Sequence, residues 1–187
     1  MKPRLELEIR LGRLLDQTDV EGIVFPTNSD LMLIGDLGAE ILRSGGIQIE
    51  REARQRGPIG AGEATHSTAG ELPFRCIILA AVVGPGFEGI GTERQAGTFT
   101  SGKRISEATL NALDQAHILG LESVAMPPIG VAEAAFPVEQ SAEIMLGEIQ
   151  AFAAANPEAP LRRVVIACPD RQSFAVFDRG PLRRLAS

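Results

Sequence analysis

Side chains able to handle a ligand gather early in the chain, where GIVFPTNSD, residues 22–30, ends an apolar run in Thr27, Asn28, Ser29 and Asp30. An amide both donates and accepts, so Asn28 can orient a sugar hydroxyl, with Thr27 beside it as a further contact. A carboxylate at Asp30 or Asp36 can act as a general base where burial raises its pKa. Asn28, Asp30 and Asp36 are therefore the catalytic candidates for attack by a positioned water. Two of them have equally physical local roles. After Pro26, Asn28 can close an Asx-turn, and Asp36 can cap the helix that follows it. His66 and His117 stand at no recognisable metal-ligand spacing, and no Gly-x-Ser-x-Gly context activates a serine, so no metal or cofactor is expected.

These residues must be held by elements that the hydropathy pattern outlines. Leu5, Leu7, Ile9 and Leu11 alternate with Glu6, Glu8 and Arg10, which predicts a half-exposed edge strand, paired antiparallel. Residues 22–25 form a short strand that Pro26 should end, since proline donates nothing to a ladder. Residues 36–46, DLGAEILRSGG, read as a helix with an i, i+4 pair at Leu37 and Ile41, and residues 48–56 as a second, charged helix. A weak strand at 63–67 precedes the strongest one, 76–83, which is apolar on both faces as in a sheet covered on both sides. Residues 84–102, rich in Gly and Thr, predict a long surface loop, with Phe99 placed to serve assembly or to close over a ligand. Helices are expected at 107–119 and 139–155, strands at 122–126 and 163–168, and a broken helix from Ser173.

Strands alternating with helices argue for an α/β fold with helices on both faces of a mixed sheet. Three loops follow strand C-termini, at 26–35, 84–102 and 127–136, and such ends line the crevice where open α/β sheets bind ligands. The 187 residues suit one domain spanning 1–187. A formal charge of -6 supplies no field for phosphate backbones, which argues against broad nucleic-acid binding. Cys76 and Cys168 lie in apolar runs and make no disulfide framework. The start, MKPRLELEIRLGR, lacks the apolar core of a secretion signal, and CIILAAVVG is far short of the roughly 20 residues that span a bilayer. A cytoplasmic location with no membrane association is the expectation.

The order of several short motifs resembles the macrodomain family. IVFPTNSDL resembles its strand ending in Asn-Ala-Ala-Asn, with Asn28 over the second asparagine. LIGDLGAEILRSGG resembles the glycine-rich phosphate loop and helix, with Gly35 and Asp36 over glycines and Leu37 over the valine. GEATHSTAGELP at 62–73 and VGP at 83–85 are similar to later strand motifs, and AMPPIGVAEAAFP at 125–137 looks like the second phosphate loop, with Phe136 at the usual aromatic position. The resemblance implies a three-layer α/β/α macrodomain-like fold with a central mixed sheet. It further implies a crevice for ADP-ribose or a related phosphorylated nucleoside, contacted by Thr27, Asn28, Gly35, Asp36, Leu37, Gly130, Val131, Ala132 and Phe136. Hydrolysis of ADP-ribosyl esters or O-acetyl-ADP-ribose is the second implied role. A third reading, apart from the resemblance, is a degenerate fold retained as a non-catalytic scaffold for protein association or a homo-oligomer. Leu14, in GRLLD, falls where the family carries an aspartate that accepts from adenine, with Asp16 the nearest carboxylate. Leu42 stands where some hydrolytic members have a histidine. Asp36 and Glu133 put acids into the two phosphate loops, read here as a helix N-cap and an exposed loop acid.

Overall fold

The computed structural model describes residues 5–86 and 100–179. Most of the predicted 84–102 loop, with Phe99, and the tail beyond residue 179 lie outside the described residues. Six strands form one sheet: β1 (Glu6–Leu11), β2 (Gly22–Asn28), β3 (Ala64–Ser67), β4 (Cys76–Val83), β5 (Ser123–Met126) and β6 (Arg163–Cys168). Their order is β1-β6-β5-β2-β4-β3. Every position of β2, β4 and β5 is buried, which requires cover on both faces. Helices α1 (Gly35–Gly45), α2 (Gln48–Gln55), α3 (Gly102–Ile118), the single turn α4 (Val131–Ala134), α5 (Val138–Ala155) and α6 (Arg171–Asp178) supply it in a three-layer α/β/α arrangement. Among the described residues no helix is long and apolar enough to cross a membrane.

The pairing corrects one expectation. β1 is the edge strand, but it runs parallel to β6, from Glu6 opposite Arg163 to Leu11 opposite Cys168. The antiparallel pair is β3 with β4, Ala64 opposite Ala80. Only the short segment 68–75 joins those two strands, and a parallel pair needs a longer crossover. β1 and β6 come from opposite ends of the chain, so no short connection constrains their sense. The charged residues that alternate along β1 serve the edge: Arg10 bonds Glu8 and reaches Asp19 at 2.8 Å, and Arg163 of β6 reaches Asp19 at 2.9 Å. Asp19 is held down to about 2, chiefly by its hydrogen bond from Arg10.

β2 also runs further than its proline suggests, continuing through Pro26 to Asn28. Its pairing with β5 stops at Ile23, whereas pairing with β4 carries on. From there one side of β2 is unpaired and can tolerate a missing N–H. The ladder shifts register after Thr27, so Asn28 pairs with Val83.

The helices pack through the faces their spacing implies. Gly38, Ile41 and Gly45 are the buried positions of α1. Ala108, Ala112, Leu113 and Ala116 of α3 lie in the core with Ile105. α3 begins at Gly102, five residues before the expected start, because Ser101 caps it by accepting from the Arg104 N–H. Met145, Ile149 and Phe152 line the buried side of α5. Both cysteines are buried free thiols, and burial pushes Cys168 up to about 12, which leaves it unreactive.

Candidate functional site

A cavity of about 640 Å³ opens at the C-terminal ends of the parallel strands. Phe25 of β2 and Ala167 of β6 form its floor, and Pro127 and Pro128 beyond β5 form one side. Arg13 and Leu14, just after β1, and Pro169, Asp170 and Ser173, just after β6, form another. The start of α1 contributes Ile34, Gly35, Asp36, Leu37 and Glu40, and the α4 loop contributes Val131, Ala132 and Glu133.

The first loop is fixed from beneath. The fully buried Asn28 accepts the Met32 N–H on Oδ1 at 3.1 Å, and its carbonyl accepts the Leu31 N–H at 3.0 Å. Thr27, equally buried, donates its hydroxyl to the Met32 carbonyl. Glu50 of α2 reaches across to accept the Leu33 N–H at 2.8 Å. These bonds hold the chain through a left-handed Leu31, φ 58, and bring it into α1 at Ile34. Ile34, not Asp36, is the N-cap, and it offers no side-chain oxygen. Asp36 instead sits exposed in the first turn. Helix geometry leaves the Gly35, Asp36 and Leu37 N–H groups without intrahelical acceptors, so the positive end of α1 faces the cavity.

The second loop is closed on itself. Gly130, at φ 81, takes a left-handed turn, and its N–H is accepted by Glu133 Oε2 at 3.0 Å. Its carbonyl accepts from both Ala134 and Phe136. Below it, Ser141 of α5 donates to the Ile129 carbonyl at 2.8 Å. Glu133 is therefore no exposed loop acid: it is half-buried on the cavity wall, where desolvation raises its carboxyl to about 7 against the lowering effect of its backbone hydrogen bonds.

Of the residues singled out from the sequence, Gly35, Asp36, Leu37, Val131 and Ala132 come together on the cavity. Thr27 and Asn28 lie beneath its first loop, and Gly130 and Phe136 are buried behind the second. Asp30 accepts the Gly86 N–H at 2.8 Å, tying the first loop to the turn after β4. Asp16 is exposed in a 3-10 turn, Leu14–Asp16, and is not among the lining residues, whereas Leu14 is. The wall built by Arg13, Leu14, Pro169, Asp170 and Ser173 went unpredicted. An antiparallel β1 would point its C-terminus away from the other strand ends, whereas the observed parallel pairing brings residues 13–14 and 169–173 to the same rim. Glu40 was missed as a site residue too, and it pairs with Arg13. Asp170 caps α6, accepting the Ser173 N–H at 2.8 Å and its hydroxyl at 3.0 Å. Among the described residues no three metal-type ligands cluster.

The macro domain family model matches residues 24–145, nearly two-thirds of the chain. The chain belongs to the macro domain family. An uncharacterised protein of Mycobacterium tuberculosis is 32% identical over 163 residues, 87% of this macro domain and 41% of the relative. This chain thus spans about two-fifths of the length of that relative. The O-acetyl-ADP-ribose deacetylase of Enterobacter sp. strain 638 is 29% identical over 188 residues, covering 98% of this chain and 97% of the relative. Among solved structures, the Oceanobacillus iheyensis macrodomain with ADP superposes with a TM-score of 0.78 at 19% identity, over 100% of this chain and 94% of that one. The Trypanosoma brucei macrodomain in complex with ADP-ribose does so at 0.77 and 20%, over 92% of this chain and 68% of that one. The fold of this macro domain is thus that of the solved members.

Proposed function

We propose that the cavity binds ADP-ribose or a closely related nucleoside diphosphate. The observation that carries this reading is the open start of α1: an 11-residue helix with no side-chain cap, its first N–H groups turned into a cavity of about 640 Å³. Backbone N–H groups at a helix start favour phosphate oxygens, and the volume lies within the range of about 300–1,000 Å³ usual for small-molecule sites. Phe25, Leu14, Pro127, Pro128 and Val131 give apolar walls for sugar and base. Gly35, Asp36 and Leu37 would meet the diphosphate with their main chain, and Val131 and Ala132 would flank it from the second loop. Thr27, Asn28, Gly130 and Phe136 would act by setting the shapes of the two loops. The bound complexes of the Oceanobacillus and Trypanosoma macrodomains support the choice of ligand. A cytoplasmic location without affinity for nucleic-acid backbones accompanies this reading, given the formal charge of -6.

Isothermal titration with ADP-ribose tests it, with AMP and ribose 5-phosphate as controls. Micromolar binding selective for ADP-ribose is the expected result, and silence with all three would remove the reading.

A hydrolytic role on O-acetyl-ADP-ribose is the second reading, favoured by the named activity of the Enterobacter relative and by a carboxylate, Asp36, on the cavity rim. Acetate release should then appear with O-acetyl-ADP-ribose and fall at least tenfold in Asp36→Asn, while binding of the product ADP-ribose persists. Binding without acetate release leaves a reader of the nucleotide and removes the enzyme.

A further inference from the structure

The cavity proposed above to take a diphosphate carries more acid than base. Among the described residues, Asp36 and Glu40 of α1, Glu133 of the α4 loop and Asp170 at the start of α6 face it, against one cation, Arg13. Arg13 is already paired with Glu40. Glu133 stands apart from the other three acids. It is half-buried, no cation pairs with it among the described residues, and the Gly130 N–H that it accepts is neutral. Among the described residues, the groups packed behind its loop do not titrate: Ile105 of α3 lies against Gly130, Met145 and Ser141 of α5 hold Ile129, and β4 is an apolar strand. A carboxylate in such a place has no partner to offset the charge of an arriving anion. Its cheapest response is to take up a proton.

We infer that Glu133 couples ligand charge to proton uptake: an anionic ligand enters the cavity together with one proton from solvent, which the Glu133 carboxyl holds while the ligand is bound. The inference rests on the nucleotide reading given above. The proton adds to one oxygen of the carboxylate, and the other oxygen keeps the Gly130 N–H, so the loop need not refold. Without ligand the carboxyl titrates at about 7, and a nearby diphosphate moves that value further up because like charges disfavour the ionised form. Below the ligand-free value the proton is already present and binding costs nothing extra. Above it each ligand must bring the proton, so affinity falls as pH rises. Glu133 thereby selects for ligand charge: an uncharged nucleoside would bind with no pH dependence of this origin.

The test is titration calorimetry with ADP-ribose in two buffers of different ionisation enthalpy, at pH 6, 7 and 8. Its diphosphate diester has no group that titrates in this range, so any proton taken up belongs to the protein. Wild-type protein should take up about half a proton per ligand at pH 7 and bind about tenfold more weakly at pH 8 than at pH 6. Glu133→Gln keeps an oxygen for the Gly130 N–H, and should show neither the proton uptake nor that pH dependence. The same uptake and profile in Glu133→Gln as in wild type would overturn the inference, as would wild-type binding without proton uptake, and both would leave the nucleotide reading standing. Absence of ADP-ribose binding by either protein at pH 6 would overturn the nucleotide reading and the coupling with it. The wild-type buffer dependence decides the matter even if the variant unfolds.

Discussion

The loop after β2 and the loop after β5 face each other across one cavity, and each carries an acid in a stretch that resembles one of the family's phosphate loops. At the first, Asp36 stands exposed beside an uncapped helix start, and the bonds that shape the loop come from below, from Asn28, Thr27 and Glu50. At the second, Glu133 turns back on its own loop and occupies the Gly130 N–H. The two acids look equivalent in sequence, yet one leaves backbone donors open and the other closes one. A loop's chemistry therefore depends on which group satisfies its N–H groups more than on which residue types it contains.

The largest expected effect comes from separating the first loop from its helix. A Cβ on Gly38 would lie 2.3 Å from the Leu33 carbonyl carbon and 2.4 Å from its oxygen, both backbone atoms that cannot swing aside. Gly38→Ala should cost about 3 kcal/mol in urea unfolding, as overpacking against backbone does. Gly130→Ala meets the flexible tip of Ile105 at 2.7 Å and a left-handed φ of +81, and should cost less, about 2 kcal/mol. Equal losses would mean that both loops are braced alike, and the contrast between them would fail.

Next comes Asn28→Ala. The side chain is fully buried and supplies the acceptor for the Met32 N–H. Removing it should lower stability by about 1–3 kcal/mol, the cost of leaving a buried donor unmatched. Affinity for ADP-ribose should fall with it, because the loop carries α1. A loss of affinity with the melting temperature unchanged would instead make Asn28 a direct ligand contact.

How much of this was legible beforehand follows the kind of force involved. Strands β4 and β6 were placed to the residue, because eight consecutive buried positions in β4 and five in β6 leave apolar runs that nothing else explains. The buried stripes of α3 and α5 followed from their three-to-four spacing. Parallel or antiparallel sense left no such mark on β1, whose alternation would look the same either way. That single ambiguity hid the rim formed by Arg13, Leu14 and Asp170. Pro26 misled for a related reason: whether a missing N–H matters depends on which side of the strand has a neighbour, and β5 departs after Ile23. Glu133 was visible as an acid in a loop, but its burial and its bond to Gly130 depend on the left-handed turn. No local residue type announces those.

The acid of the second loop should reveal itself in stability as well as in binding. In the unfolded chain a glutamate titrates near its ordinary value of 4.5, and in the folded protein burial holds Glu133 at about 7. The folded state thus binds more protons between those values, and stability contributed by this group falls as pH rises from 4.5 through 7. Glu133→Gln should therefore match wild type near pH 4.5 and exceed it by about 1–3 kcal/mol at pH 8. Unfolding curves at the two pH values provide the measurement. A variant less stable than wild type at pH 8 would mean that the charged carboxylate is worth more to Gly130 than its desolvation costs.

The smallest effect belongs to the acid of the first loop, and it has two opposed parts. A carboxylate in the first turn of a helix stabilises it by about 0.3–1 kcal/mol through the helix dipole. Asp36→Asn gives up that contribution, so the melting temperature should drop slightly. The same change removes a negative charge from the mouth of the cavity and leaves the main-chain donors of residues 35–37 in place. Affinity for ADP-ribose should then rise several-fold at low salt, and the gain should shrink as salt screens an exposed charge. Stability lost while affinity is gained marks an acid that serves the helix at the ligand's expense. Unchanged affinity at all salt concentrations would mean that Asp36 points away to water, and the contrast with Glu133 would then lie in side-chain direction alone.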